Sequence, residues 1–142
     1  MNLNEERIPP DQFQELIQTV HLNKIYLKSG NWNVNKKTLL SSNEIDISIG
    51  NDLTILNEEK VSFNQLFNLR LIPNGKKRSS LNIKCELVAD FNSETKLDHN
   101  FWVTFGEYIV PTISIPFLRE YVLSLTGKMD IPPILLPLWK KE

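Results

Sequence analysis

Cys85, His21 and His99 are the side chains of this sequence whose types could support nucleophilic catalysis, with an imidazole as base for a thiol. Cys85, however, falls in the same alternating phase as the apolar residues around it, which indicates a buried structural thiol. One cysteine and two histidines also lack metal-site spacing such as Cys-x-x-Cys or His-x-x-x-His. Gly-x-Ser-x-Gly and a glycine-rich phosphate loop are absent as well. We therefore expect no enzyme activity, no metal and no cofactor.

The composition argues against nucleic acid and anionic lipid as partners. The formal net charge of the 142 residues is −1, so there is no long-range attraction to polyanions. The basic run Lys76 to Arg78 follows Asn74 and Gly75, which favours a solvated turn over a binding patch. Cys85 is the only cysteine, so an intrachain disulfide is excluded, as fits a reducing compartment.

Membrane insertion and secretion find no support in the sequence. It contains no uninterrupted run of about 18 apolar residues, the length that a membrane-spanning helix needs. The N-terminal MNLNEERIPP is polar and acidic, whereas a signal peptide is basic and then apolar. A hydrophobic content of 41% and a charged content of 23% are typical of a globular chain with one core. We therefore expect a single cytoplasmic domain over residues 1–142.

The stretch from Ile109 to Trp139 concentrates apolar side chains. Its apolar residues recur at i, i+3, i+4 and i+7, which predicts an amphipathic helix. Thr112 or Ser114 can cap its N-terminus, which would place Pro116 in the first turn. The apolar face of the helix consists of Leu118, Tyr121, Val122 and Leu125.

We expect this helix to end at a left-handed Gly127 and to be followed by an apolar loop. Pro132, Pro133 and Pro137 favour an extended backbone up to Trp139. Two interpretations fit an apolar helix face beside such a loop. It is either ordinary core cover or the wall and rim of a groove for apolar ligands.

Three segments of alternating apolar residues precede the helix, at 45–55, 61–71 and 81–91. In each segment the apolar residues are at odd-numbered positions, so they share one face of a sheet whose other face is polar. Two turns separate these strands, and the second contains Asn74-Gly75. The segments predict an antiparallel meander that is apolar on one side.

The segment Val20 to Val34 is also extended, but its apolar residues change phase, which suggests a β-bulge. Gly30 and the asparagines around Trp32 predict that the strand breaks there, leaving an aromatic side chain in a flexible loop that could cover an apolar ligand. Residues 36–43 then form a crossover loop that carries Leu39 and Leu40.

Together these elements predict an α+β fold, a four-stranded antiparallel meander sheet with a long C-terminal helix packed on one face. The single domain comprises an N-terminal helical extension (1–19), the sheet (20–91), and the helix with its proline-rich loop (92–142). We expect a short helix from Asp11 to Thr19, capped by Asp11, and one or two helical turns from Asn100 to Tyr108. One helix cannot cover the sheet, so either the short segments or a second copy must supply the rest.

From Val20 to Trp139 the sequence resembles the SecB family of protein-export chaperones. Lys24-Ile25-Tyr26 is similar to the Arg/Lys-Ile-Tyr core of the family's first strand, and Cys85-Glu86 matches a pair on its last strand. Pro111 and the run Pro116 to Glu120 resemble the family's Pro-aromatic-small-Arg-Glu helix. PPILLPLW resembles the Pro-x-Leu-x-Leu-x-Pro run after it.

The resemblance implies an ATP-independent holdase without catalytic activity, which binds unfolded precursor polypeptides for protein export and translocation. It also implies a homotetramer, arranged as a dimer of dimers. Clients of the family lie in apolar grooves between the helix with its loop and the sheet with its crossover loop. By position, the residues of this predicted groove are Trp32, Leu39, Leu40, Leu118, Tyr121, Val122, Leu125, Ile134 and Leu135.

The sequence departs from the family at the outer sheet face, where acidic residues dock the translocase motor SecA. Glu86 matches a docking residue, but Ser29 and Asn33 stand where carboxylates are usual. The family's acidic C-terminal tail is not matched after Trp139 either. These differences put the partnership with SecA in doubt. They leave open an alternative, a SecB-like chaperone dedicated to one client such as the antitoxin of a toxin–antitoxin system.

Overall fold

The structure is a computed structural model that describes residues 9–39, 43–57 and 59–136. Three helices and four long strands make up these residues. In chain order they are α1 (Pro10–Ile17), β1 (Val20–Val34), β2 (Asn43–Asn57), β3 (Lys60–Pro73), β4 (Leu81–Ser93), α2 (His99–Tyr108) and α3 (Val110–Gly127).

The four strands form one antiparallel sheet in the order β1-β4-β3-β2. The meander therefore comprises β2, β3 and β4, and β1 lies beside β4 at the opposite edge from β2. The chain has to cross the width of the sheet between Val34 and Asn43, as the predicted crossover loop requires. The α+β fold class is confirmed, with the correction that β1 is not part of the meander.

Strand β1 contains the predicted irregularity but not the predicted break. Its register against β4 shifts between Leu22 and Lys24, and again between Leu27 and Ser29. The strand then continues to Val34, with Trp32 opposite Ile83. Glycine and asparagine are poor strand formers, but pairing with a complete neighbouring strand outweighs that local preference. Trp32 is therefore a strand residue, and the prediction of a flexible loop there is wrong.

Both α2 and α3 cover one face of the sheet, the face that carries the odd-numbered residues of β3 and β4. The carboxylate of Asp98 caps α2 by accepting a hydrogen bond of 2.9 Å from the backbone N–H of Phe101. Helix α3 begins directly afterwards at Val110, so it starts earlier than predicted, and Pro116 lies within the helix. Proline has no N–H to donate to the carbonyl of Thr112 four residues earlier, and because Thr112 is exposed, water can reach that carbonyl.

Three predicted helix ends need correction. Thr112 and Ser114 do not cap α3, because both lie inside the helix. Gly127 is its last residue, but the left-handed backbone conformation occurs at Asp130, with a φ of 58°. Asp11 does not cap α1 either, because Pro9 is the N-cap and makes no side-chain cap hydrogen bond.

Two clusters of buried side chains lie between the sheet and the helices. The aromatic cluster lies beneath α2, and its ring centroids are 4.9–6.1 Å apart. Helix α1 docks on it through Phe13, whose ring lies 5.3 Å from that of Phe101. The aliphatic cluster lies beneath α3. The aromatic cluster contains Phe63, Phe91, Phe101, Trp102 and Phe105, and the aliphatic cluster contains Leu69, Ile83, Leu87, Leu118 and Val122.

The run His99–Gly127, which contains α2 and α3, is long and apolar enough to cross a membrane, with a mean hydropathy of 1.3. The sequence still contains no uninterrupted run of 18 apolar residues, because Thr112 and Ser114 interrupt this one, so the run reaches the threshold only as an average. Half of its apolar window is nevertheless buried inside the chain. Helices that cover an apolar sheet face need the same composition, so we interpret the run as part of the core.

Candidate functional site

Some residues of the predicted groove are buried in the structure, and others are accessible. Leu118 and Val122 are completely buried and belong to the aliphatic cluster. They pack against the sheet because the apolar face of α3 is the face that covers it. These two side chains therefore form the base of the predicted groove in this conformation rather than its accessible surface.

The remaining described residues of the predicted groove surround that base. Leu39, Tyr121, Leu125 and Ile134 are half-buried and pack against the aliphatic cluster from the crossover loop, from α3 and from the loop after it. The more exposed residues are Trp32, at 49%, and Leu135, at 63%. Leu40 lies outside the described residues.

Tyr121 joins α3 to the β1 edge of the sheet. Its hydroxyl oxygen is 2.8 Å from the point where a Cβ on Gly30 would lie, so any larger residue at position 30 would displace that hydroxyl. Gly30 is paired with Cys85 on β4, and Trp32 follows two residues later on the same face of β1. Burial raises the pKa of Tyr121, and the nearby Cys85 raises it further. The phenol is therefore neutral and can donate a hydrogen bond near Trp32.

Two polar contacts fix the loop that follows α3. The backbone N–H of Ile134 donates a hydrogen bond of 2.9 Å to Oγ1 of Thr126, which in turn donates one of 2.8 Å to the carbonyl of Val122. Lys36 Nζ lies 2.7 Å from Asp130 Oδ2 and so connects the crossover loop with this one. That hydrogen bond, with the charge of Lys36, lowers the pKa of Asp130. Both rims of the predicted groove are thus held by side-chain contacts.

The geometry does not bring the candidate nucleophile Cys85 and the candidate base His21 together. His21 faces Asn92 across the sheet, seven residues along β4 from Cys85, which corresponds to about 23 Å. Instead, His21 Nε2 contacts Glu94 at 2.9 Å, in an exposed pair. Burial raises the pKa of the Cys85 thiol to about 11, so little thiolate forms at neutral pH. Within 9–39, 43–57 and 59–136, no three His, Cys, Asp or Glu side chains group as metal ligands would.

Glu86 lies on the outer face of the sheet, away from the helices. Its Oε1 accepts a hydrogen bond of 2.8 Å from Asn64 Nδ2 and lies 3.9 Å from Lys28 Nζ. Its cross-strand neighbour is Ser29, and Asn33 faces Asn82 on the same face. The carboxylate is therefore hydrogen-bonded, partly neutralised and only 19% exposed. An acidic docking surface would require free carboxylates beside it, and these two positions do not supply them.

The structure also contains a cleft that the sequence did not predict. It has a volume of about 390 Å³ and lies between strands β2 and β3 and helices α2 and α3. Gln65 and Ser114 line it and share a buried hydrogen bond of 2.5 Å. Trp102 lines it as well, and its Nε1–H has no acceptor among the described residues. In the sequence, Gln65 could have indicated this cleft, because it is a polar residue among the apolar odd-numbered residues of β3. The apolar residues of the lining include Ile49, Leu53, Phe63, Val103, Ile115 and Leu118.

Comparison with solved structures identifies the fold. The SecB-like chaperone Rv1957 of Mycobacterium tuberculosis, in complex with a ChAD peptide from the Rv1956 HigA1 antitoxin, superposes with a TM-score of 0.78. The match covers 92% of this chain and 99% of that one at 16% identity. A protein of unknown function from Streptococcus agalactiae matches at a TM-score of 0.46 and 11% identity, over 84% of this chain and 97% of that one. No protein-family model and no curated protein matches the sequence. The chain therefore has a SecB-like fold, and the resemblance seen in the sequence is confirmed at that level.

Proposed function

We propose that this SecB-like chain is a chaperone that binds unfolded polypeptides and keeps them from aggregating, without ATP and without catalysis. The observation that carries the proposal is the likeness of nearly the whole fold to a SecB-like chaperone with a bound peptide. The accessible apolar residues around Trp32 and Leu135 provide a surface on which such binding can occur.

The mechanism is the burial of client side chains against the accessible part of the predicted groove. Each large apolar side chain that leaves water contributes about 1.5–3 kcal/mol. Several such contacts outweigh the cost of ordering an extended client and give micromolar to nanomolar affinity. Tyr121 and Leu125 form the wall on α3, and Ile134 with Leu135 forms the rim. No cofactor takes part in this mechanism.

The proposal includes a homotetramer, a dimer of dimers, in the cytoplasm. A second copy would cover the apolar residues at the margin of the sheet that the helices leave exposed, such as Ile45 and Leu56. Sedimentation equilibrium at micromolar concentration tests this part. We expect a particle of four 16.5 kDa chains, and a stable monomer would contradict the assembly.

Suppression of the aggregation of a denatured client tests the chaperone function. We expect the purified chain to suppress it at one tetramer per client, and the double variant Leu125→Asp, Leu135→Asp to lose most of this activity. The matched control is Leu66→Asp, since Leu66 is similarly exposed, at 53%, but lies on the outer sheet face. Full activity in the double variant, with the native oligomer retained, would refute the assignment of the groove.

Two roles are compatible with this activity. The chaperone either binds many precursors for export with SecA, or it binds one dedicated client. The contacts of Glu86 with Asn64 and Lys28, together with the polar residues at Ser29 and Asn33, favour the dedicated client. The antitoxin peptide bound to the Rv1957 neighbour makes an antitoxin the first client to test. Calorimetry with purified SecA separates the two. We expect no binding, whereas binding that Glu86→Gln abolishes would restore the export role.

A further inference from the structure

The end of the sheet at which β1 enters the crossover loop carries a pocket lined by cations, which we call the basic pocket. It has a volume of about 540 Å³ and lies between the first residues of that loop and the connection from β3 to β4. Among the described residues, no acidic side chain lines it. The cations of the lining are Lys37, Lys76 and Arg78, and its polar residues are Asn35, Thr38 and Ser79.

Hydrogen bonds hold the two walls of the basic pocket in place. The backbone N–H of Asn35 donates to the carbonyl of Ser80 at 2.7 Å, and the hydroxyl oxygens of Thr38 and Ser80 are also 2.7 Å apart. In the other wall, the N–H of Lys76 donates to the carbonyl of Pro73 at 2.9 Å. Cations from two separate segments of the chain are therefore brought together, which the basic run in the sequence could not show by itself.

The three cations of the basic pocket differ from several other cations of the chain in having no carboxylate partner. Lys24, Lys28 and Arg70 on the sheet each lie 3.9 Å or less from a carboxylate oxygen. Lys36, beside the pocket, is paired with Asp130. Within the described part of the chain, the pocket cations have no such ion pair. The pocket is therefore locally positive and attracts anions, although the whole chain has a formal net charge of −1.

The surroundings of the basic pocket favour carboxylates over phosphate or nucleic acid. Compact phosphate sites use free backbone N–H groups, often at a helix N-terminus. Here the N–H groups of Lys37, Thr38 and Lys76 already donate to acceptors in their own loops, and none of the helices α1, α2 and α3 begins at the pocket. No aromatic side chain among the described residues lines it, so nucleic acid bases would lack a stacking partner. Separate cationic side chains instead suit several carboxylates along a peptide, and Arg78 can bind one of them through two parallel hydrogen bonds.

The basic pocket also adjoins the predicted groove. Thr38 of the pocket directly precedes Leu39, a groove residue that packs against the aliphatic cluster. The contact between Lys36 and Asp130 connects the same loop with the loop after α3. A polypeptide in the groove that extends past Leu39 therefore brings its flanking residues to the cations.

We propose that the basic pocket binds the carboxylates of acidic residues that flank the apolar segment of a client. The inference rests on the proposed chaperone function and names a class of clients, which are selected by charge as well as by hydrophobicity. Apolar burial in the groove provides most of the affinity. The cations are exposed, so they add a salt-dependent part and faster association.

Matched peptides test the charge preference on the full-length chain. Each peptide carries an uncharged fluorophore and a segment in which leucine alternates with threonine, followed by a run of aspartate, asparagine or lysine. In fluorescence anisotropy at low salt, we expect the aspartate peptide to bind about tenfold more tightly than the asparagine peptide. The difference should shrink to about twofold at about 0.5 M salt. Equal affinities of these two peptides at low salt, or tightest binding of the lysine peptide, overturn the proposal.

A variant without the pocket cations locates the preference. Lys37→Gln, Lys76→Gln and Arg78→Gln are combined in one chain, and all three side chains are exposed, so the fold should persist. We expect this triple variant to bind the aspartate and asparagine peptides alike, with the asparagine affinity of the parent chain. A preference for aspartate that survives in the triple variant overturns the proposal.

The matched control removes the same charge from exposed positions outside the lining of the basic pocket. It combines Lys60→Gln, Lys77→Gln and Lys84→Gln. This control should keep the preference for the aspartate peptide. An equal loss in both triple variants would show that the overall charge of the chain is responsible, and the pocket would then have no part in selection.

The possible failures are distinguishable. If none of the peptides binds, the proposed chaperone function fails and the inference fails with it. If the three peptides bind with equal affinity, only the basic pocket is wrong. Inorganic pyrophosphate and a single-stranded oligonucleotide are the last probes. If either binds the parent chain more tightly than the aspartate peptide does, and the pocket variant abolishes that binding, the pocket takes a phosphate ligand and the proposal is overturned.

Discussion

The aromatic cluster beneath α2 and the aliphatic cluster beneath α3 perform different tasks on the same sheet. Apart from the cleft that Phe63 and Trp102 line, the aromatic cluster is closed, with rings in edge-to-face and stacked contact and a further ring from α1 against Phe101. The aliphatic cluster has a margin of half-buried and exposed residues on two loops and on β1. Under the proposed function, the first cluster fixes the fold and the second supports the surface that binds clients. The comparison indicates that substitutions in the first cluster should change stability, whereas substitutions at the margin of the second should change client binding.

The largest effect should come from opening the closed cluster. Phe105→Ala removes a ring that contacts Phe63, Phe91, Phe101 and Trp102, and we expect a loss of about 3–5 kcal/mol in unfolding free energy. Leu135→Ala, at the open margin, should change stability by less than about 0.5 kcal/mol. Urea denaturation followed by circular dichroism measures both. Comparable losses would contradict the division between the two clusters.

Two helical glycines provide a narrower test of the same division. A Cβ on Gly106 would lie 2.5 Å from Cε1 of the buried Phe63 ring, so Gly106→Ala should cost about 1–3 kcal/mol through overpacking. Gly127, at the end of α3, has open space around it, and Gly127→Ala should leave stability unchanged or raise it by up to about 1 kcal/mol. Thermal unfolding of the two variants is sufficient. A Gly106→Ala variant as stable as the parent would disprove close packing beneath α2.

The buried thiol should make the aliphatic cluster sensitive to alkali. The folded pKa of Cys85, about 11, lies above its unfolded value, so the folded chain holds the proton that the unfolded chain releases. This contribution is complete below about pH 8.5 and is lost as the pH rises towards 11, with a total of about 1–3 kcal/mol. Unfolding free energies measured between pH 8 and 11 should therefore fall. The slope should be smaller in Cys85→Ala, and identical slopes would exclude the thiol as the cause.

Where α3 meets β1, a substitution should change client binding more than stability. Gly30→Ala displaces only the end of the Tyr121 side chain, so we expect less than about 1 kcal/mol in stability. Client affinity should change several-fold, because Tyr121 belongs to the predicted groove. Tyr121→Phe removes the clashing hydroxyl, and the double variant should recover the affinity of Tyr121→Phe alone. Purely additive effects in this double-mutant cycle would show that the two residues do not act together.

Alternation in β2, β3 and β4 was sufficient to predict the strands and the face that the helices cover. The Asn74-Gly75 turn was equally readable, and Gly75 has the expected positive φ of 80°. The break at Trp32 was mispredicted, because local propensity contains no information about β4, the strand that holds residues 30–34 in the sheet. The accessibility of the predicted groove residues on α3 could not be read from the sequence for a related reason. A helical periodicity identifies an apolar face but does not say whether a sheet already covers it.

By itself, the sequence determined most of the elements and the buried side of the sheet, because periodicity and turn chemistry are local properties of the chain. The likeness to the SecB fold came from the resemblance of short motifs to those of a known family. Only the tertiary structure decided which apolar residues stay accessible, that Glu86 is engaged by Asn64 and Lys28, and that a cleft opens beside β2. Those features depend on the strand order and on the positions of α2 and α3 on the sheet. Such contacts join residues far apart in the chain, and no local pattern encodes them.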